Sequence, residues 1–352
     1  MPRSRRNKTI FGSVLSGLWP PAACLIGALL AYASARADPV AQTEFRLAFP
    51  VDCVVGLDCW IANYVDHDPG ADAKDYTCGP LTYDGHGGTD FAVRDFGSVR
   101  RGVAVLAAAD GVVERFRDGM PDAVFSPDRS PQRDRRECGN GVVITHGRGW
   151  TTQYCHLKMG SVSVKPEQPV VQGQPIGMVG QSGKAEFPHV HFQTWHGGRT
   201  VDPFAGIEAT QPCEVTFSPL WRRDLRETLK YRPFAIYNAG FAAGRPDVTR
   251  IRNGHPVGGE LLRTAPALTL WVEVFGVQVG DQLRYRIIGP DGGIIHDRRI
   301  TVARRYARWF GFSGRRRAAI WPRGEYVGEF TIIRQGLDGA LTGTAHTETE
   351  IR

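Results

Sequence analysis

Pro188-His189-Val190-His191-Phe192 decides the fold. In a β-strand successive side chains alternate between faces, so His189 and His191 point one way while Val190 and Phe192 point the other, toward a core. Upstream, His86-Gly87-Gly88-Thr89-Asp90-Phe91 sets a histidine and a carboxylate four residues apart across two glycines. Glycine lets the backbone bend tightly enough for the two to converge without a helix, and a tight turn feeding a strand is the reading. A third segment, Tyr154-Cys155-His156-Leu157, closes a run from Gly139 that reads as a hairpin turning at His146 to Gly149.

His86, Asp90, His156, His189 and His191 together suit an open metal site. Zinc hydrolases use three His or carboxylate ligands and leave a fourth position to a water whose pKa falls to roughly 7. Five groups exceed three ligand places. One histidine of the His189/His191 pair, with His156, is then free to move protons, a role that an unperturbed pKa of about 6.5 suits. A lone His-x-His arises by chance in many chains, so weight falls on the flanking segments.

Those segments place the run from His86 to Phe204 in a recognisable order. It resembles the lysostaphin-type (LytM-like) zinc metalloendopeptidases acting on bacterial peptidoglycan. His86-Gly87-Gly88-Thr89-Asp90 is similar to that family's first ligand motif, and Val105 to Val113 to its following strand and turn. Tyr154 to Leu157 matches its first catalytic histidine, Gly173 to Gly183 its glycine-punctuated lead-in, His189-Val190-His191 its His-x-His strand, and Val201-Asp202-Pro203 its domain end. The resemblance implies His86, Asp90 and His191 as ligands of one Zn2+ per chain, with His156 and His189 as the catalytic pair. Asn140 and Tyr154 are candidate substrate-binding residues. The implied activity is hydrolysis of a peptidoglycan peptide bond by a metal-activated water, with D-Ala to diaminopimelate preferred over a glycine bridge. The family also holds catalytically silent regulators and wall-binding members, a reading disfavoured by the complete set of five site residues. Cys155 departs from the family's usual small residue, and Asp118 to Glu137 is a polar insertion bordering the groove.

The expected fold class is all-β: an antiparallel groove-type metallopeptidase domain over residues 38–209, then a small immunoglobulin-like β-sandwich over 233–340. A linker with a short helix, Pro219 to Lys230, joins them at 210–232, and residues 341–352 form a loose tail. Strands are expected at Leu268 to Val274, Gln282 to Ile288, Ile294 to Val302 and Tyr326 to Ile333, separated by turns such as Gly289-Pro290-Asp291-Gly292. Asp66, Asp68, Asp72 and Asp75 lack the EF-hand spacing and read as a polar loop. No phosphate loop, heptad array or repeat stands out.

Residues 1–37 read as a signal peptide: Arg3, Arg5, Arg6 and Lys8 precede an apolar stretch, and Ala35-Arg36-Ala37 offers small residues for cleavage. Pro20-Pro21 splits that stretch below the roughly 20 residues of a bilayer span. Export to the periplasm or beyond follows. The whole chain carries +7, but the halves differ: residues 38–210 hold 16 Lys/Arg and 22 Asp/Glu, and residues 211–352 hold 22 and 14. An Arg-rich second domain, densest at Arg304-Arg305, Arg308 and Arg315-Arg316-Arg317, suits an anionic wall or envelope surface; nucleic acid is not expected. Six cysteines follow the signal, and in an exported chain they favour disulfides. Across the hairpin Cys138 opposes Cys155, so a bridge there braces the catalytic strand from behind. Cys59 with Cys78 and Cys53 with Cys213 are the remaining pairs.

Overall fold

The computed structural model describes residues 44–125, 136–207, 218–255, 261–336 and 339–352. The signal region, Cys213 and the centre of the polar insertion lie outside these. Among the described residues the architecture is almost entirely antiparallel β. No helix there is long and apolar enough to cross a membrane.

The first part runs through β1 (Cys59–Asn63), β2 (Thr89–Val93), helix α1 (Phe96–Arg101), β3 (Ala104–Leu106), β4 (Gly111–Arg117), β5 (Asn140–Thr145), β6 (Trp150–Leu157), β7 (Pro169–Val170), β8 (Pro175–Met178), β9 (His189–His196) and β10 (Arg199–Thr200). Its main sheet has the order β1-β2-β9-β6-β5-β4-β7, with β10 on β9, while β3 and β8 form a separate pair. Register sorts the side chains. Asp90 stands opposite His191, and His191 opposite Cys155, so these three share one face of the sheet. Phe91 opposite Val190, and Phe192 opposite Tyr154, share the other. That second face is the core, where each of these side chains is fully buried and contributes about 1.5–3 kcal/mol by leaving water.

The segment expected as a linker packs into this core. Trp221 and Leu47 form a parallel bridge, and Leu220, Trp221 and Leu229 are buried among the core residues. Only one 3₁₀ turn, Arg223–Leu225, replaces the expected helix. The adjacent pair Leu220-Trp221 explains the difference, since both are held by an extended backbone whose carbonyl at Leu220 accepts from Leu47 N at 2.8 Å.

The second part comprises β11 (Ala235–Ala242), α2 (Val248–Arg252), β12 (Ala267–Val277), β13 (Gln282–Ile288), β14 (Ile294–Thr301), β15 (Tyr306–Arg316), β16 (Gly324–Gly336) and β17 (Gly339–Ile351). Sheets β11-β12-β15 and β14-β13-β16-β17 enclose a shared core of Leu268, Leu270, Val272, Leu283, Tyr285, Phe330 and Ile332. The residues after Gly339 are a full strand paired along β16, not a loose tail. Their β-branched threonines favour extended backbone, and the partly exposed alternation needs few large apolar residues.

Phe45–Arg352 packs as one unit. A small apolar cluster joins its two parts: Trp60, Ala62 and Ala92 from β1 and β2 meet Phe187 and the rings of Tyr237 on β11 and Phe275 on β12. Ala92 is paired with His189, so this cluster adjoins the face that carries the histidines.

Candidate functional site

The sheet face opposite the core gathers His86, Asp90 and His191. His86 Nε2 lies 3.1 Å from Asp90 Oδ1 and 3.1 Å from His191 Nδ1, and His191 Nδ1 lies 2.9 Å from Asp90 Oδ1. These separations are near the edge of roughly 3.3 Å for a tetrahedron with ligands about 2.0 Å from its centre. Proton accounting points the same way. The Tyr64 carbonyl accepts from His86 Nδ1 at 2.6 Å, which leaves Nε2 as an acceptor in the neutral ring, facing a carboxylate oxygen. His86 Nε2 and the Asp90 carboxylate oxygen, two lone pairs turned on one another, call for a cation between them and His191. Among the described residues the only other cluster of possible ligands, Cys53, Asp58 and Cys59, has both sulfurs in a disulfide.

Local sequence explains the convergence. His86 sits in the turn before β2, and a Cβ at Gly88 would stand 2.6 Å from both His191 Nε2 and the Phe192 carbonyl, so only glycine lets the turn approach β9. Asp90 is held from behind by Asn63, whose Nδ2 donates to Oδ2 at 2.9 Å. Burial favours protonation of Asp90, but His86, His189 and His191 outweigh it and hold the carboxyl well below the usual range. Burial lowers His86, yet Asp90 more than offsets this and the net shift is upward.

His156 and His189 stand beside this cluster, their rings 4.6 Å apart. The Ser182 carbonyl accepts from His156 Nδ1 at 2.7 Å and the Phe187 carbonyl from His189 Nδ1 at 2.8 Å. Each ring therefore keeps its Nε2 unprotonated. Burial pushes both below the ordinary histidine value and neighbouring histidines add to it, His156 further because Asp90 offsets more of the effect at His189. His156 has φ 62°, a left-handed conformation rare for a residue with a side chain. Strand alternation would send its ring toward the core with Tyr154; this backbone twist returns it to the groove.

The groove is lined by Tyr83, His86, Glu137, Cys138, Gln153, Cys155, His156, Lys184, His191 and Gln193 among others. Several sequence expectations change here. Tyr154 is fully buried on the core face, its hydroxyl accepting from Ala108 N, and does not reach the groove. Asn140 is equally buried and bonds to Met120 and Leu157 backbone atoms, so both proposed substrate contacts are structural. Cys138 and Cys155 are joined, but their disulfide lies in the groove wall rather than behind the strand, because Cys155 shares the face of His191. Cys53 pairs with Cys59, not with Cys213, across the short turn before β1. That excludes Cys59–Cys78; Cys78 is disulfide-bonded nonetheless. Asn63, Tyr83 and Lys184 carried no motif, and Ser182 fell within the Gly173 to Gly183 lead-in without a role of its own; only the folded geometry reveals them.

Residues 84–203 match the family model described as peptidase family M23. The chain is 36% identical over 117 residues to the peptidoglycan DD-endopeptidase ShyA of Vibrio cholerae, covering 33% of this chain and 22% of that protein. It is 32% identical over 138 residues to the DD-carboxypeptidase/endopeptidase Mpg of Neisseria meningitidis, covering 38% and 26%. A solved zinc containing peptidase from Vibrio cholerae is 27% identical, with a TM-score of 0.27 over 40% of this chain and 38% of that one. The chain thus spans about a quarter of the length of these two curated relatives. It is over residues 84–203 that the chain matches peptidase family M23 (LytM-type), the family its motifs resemble.

Proposed function

We propose that this chain is an exported zinc metalloendopeptidase that hydrolyses peptide bonds of bacterial peptidoglycan. The observation that carries the reading is the trio His86 Nε2, Asp90 Oδ1 and His191 Nδ1, converged at 2.9–3.1 Å beside two histidines whose Nδ1 atoms are tied to backbone carbonyls. Bound there, one zinc ion would polarise the scissile carbonyl and lower the pKa of a water to roughly 7. Neutral His156 and His189 then act at Nε2. One accepts the proton from the attacking water and, as the imidazolium so formed, donates first toward the developing oxyanion and then to the leaving amine, while the other keeps its neutral Nε2 as an acceptor that orients the water. Carbonyls of Ser182 and Phe187 keep both rings in the tautomer this requires.

The names of the two relatives, a peptidoglycan DD-endopeptidase and a DD-carboxypeptidase/endopeptidase, support a cross-link between stem peptides as substrate. A leader over residues 1–37 and disulfides support export to the periplasm or beyond. In the second part, strands one, two and five face strands four, three, six and seven, an order that supports an immunoglobulin-like sandwich. Arg298, Arg315, Arg316 and Arg317 point outward on it and can meet an anionic wall, whereas Arg308 is engaged internally. Digesting purified sacculi and analysing the muropeptides by mass spectrometry tests the reading. New amino and carboxyl ends at cross-links, lost with a chelator and restored by zinc, are expected; intact cross-links would sink it.

A further inference from the structure

His189 takes its tautomer from one backbone carbonyl, that of Phe187, which accepts from Nδ1 at 2.8 Å. Phe187 is held by the second sandwich. Its ring lies 4.7 Å from that of His189 and 5.3 Å from that of Phe275, and the Arg308 guanidinium carbon stands 5.8 Å over it. We propose that Phe275 and Arg308 are positioning residues for His189, acting through Phe187, so that the sandwich is part of the catalytic architecture. The inference rests on the peptidase reading above.

Arg308 is itself fixed. Its Nε donates to Tyr237 Oη at 2.6 Å and its NH2 lies 3.4 Å from Glu273, which is fully buried and also holds Arg252 Nε at 2.9 Å. Tyr237 stacks on Phe275 at 4.2 Å and meets Trp60 of β1 at 5.7 Å. A buried carboxylate shared by two guanidinium groups has little freedom to rearrange, since loss of either leaves charge poorly compensated. The anchor is therefore rigid, as the support of a catalytic group must be. Arg308 meets the Phe187 ring rather than His189, so it acts by placement. Pro188 stiffens the link: its ring locks φ, so at that residue only ψ can absorb a displacement of Phe187 before it reaches His189.

The metal trio is held differently, although Asp90 Oδ1 lies 3.5 Å from His189 Nε2 and Ala92, two residues further along β2, joins the same apolar cluster. His86, Asp90 and His191 are set by the turn and by β2 and β9, and Asp90 is braced by Asn63. Disturbing the sandwich contact should leave metal in place and misplace one proton-handling ring.

The test uses Arg308→Ala and Phe275→Leu in the full chain, the second retaining apolar volume while removing the ring. Turnover of a soluble cross-linked peptide should fall about 10- to 100-fold in kcat, with KM changed less than about twofold. Zinc content should stay at the wild-type value. Long-range 1H–15N correlation on 15N-histidine-labelled protein, with His189 assigned through His189→Gln, should show a Nδ1-protonated ring in the wild type and mixed tautomers in both variants. Wild-type kcat and an unchanged His189 signal in both variants would overturn the inference, as would a kcat loss that merely follows zinc loss or unfolding. If the wild type cleaves nothing, the peptidase reading fails, and the His189 signal alone decides the positioning claim.

Discussion

Removing the Cys138–Cys155 bridge should weaken fold and site together. The bond closes a loop of sequence separation 17, for which chain entropy predicts roughly 3 kcal/mol. Its local surroundings add a functional effect. Cys138 O accepts from His156 N at 2.8 Å, and Gln153 Nε2 lies 3.0 and 2.7 Å from the two sulfurs. His156 holds φ 62°, and a strained backbone of this kind, costing of order 1–3 kcal/mol, persists only where its surroundings impose it. Without the bridge, a single hydrogen bond from Cys138 secures that twist from the β5 side. The informative variant is Cys138→Ala/Cys155→Ala, because a reductant would also open Cys53–Cys59. Urea unfolding should show a loss of about 3 kcal/mol, with a lowered midpoint and a slope no shallower than wild type because the uncrosslinked denatured chain exposes more surface, and turnover on sacculi should drop although His86, Asp90 and His191 remain. A double variant that unfolds at the wild-type midpoint and digests sacculi at the wild-type rate would refute the reasoning.

Trp221→Ala should cost about 3–5 kcal/mol in the same measurement, because the ring is buried among Phe91, Phe192 and Phe204; a change under about 1 kcal/mol would show that the segment after 217 is not part of that core. His67 supplies a pH signature. Burial lowers its pKa, but the 2.8 Å bond to buried Asp202 outweighs this, and the net shift is upward. A raised folded pKa contributes stability that is fully present below the unfolded value of about 6.5 and is lost as pH rises through the folded value. His67→Gln should thus destabilise the chain more at acidic than at alkaline pH, and an equal loss at both would contradict the pair's ionic character.

The histidine and aspartate constellation was legible because each segment carries its geometry locally. Two glycines after His86 announce a turn, and alternation across His189 to Phe192 announces a strand with one apolar face. His156 was legible only through resemblance, since plain alternation would place it with Tyr154 in the core; the same twist explains why Tyr154 was misread as a substrate contact and Cys155 as lying behind the strand. Trp221 was opaque for another reason. Its partner Leu47 lies far away in sequence, and nothing near either residue encodes that bridge. The strand Gly339–Ile351 hid because a half-exposed edge made of threonine, glutamate and glycine lacks the apolar alternation that marks buried strands. Asp66, Asp68 and Asp75 do form the expected polar loop, their carboxylates accepting from backbone amides within it.

The central claim is the division of labour between metal ligands and proton-handling histidines. Metal analysis of His191→Ala, His156→Ala and His189→Ala, alongside turnover on purified sacculi, tests it most directly. The account predicts zinc absent and turnover lost in His191→Ala, and zinc near one per chain with turnover lost in the other two. Full zinc in His191→Ala, or wild-type digestion by His156→Ala, would contradict it.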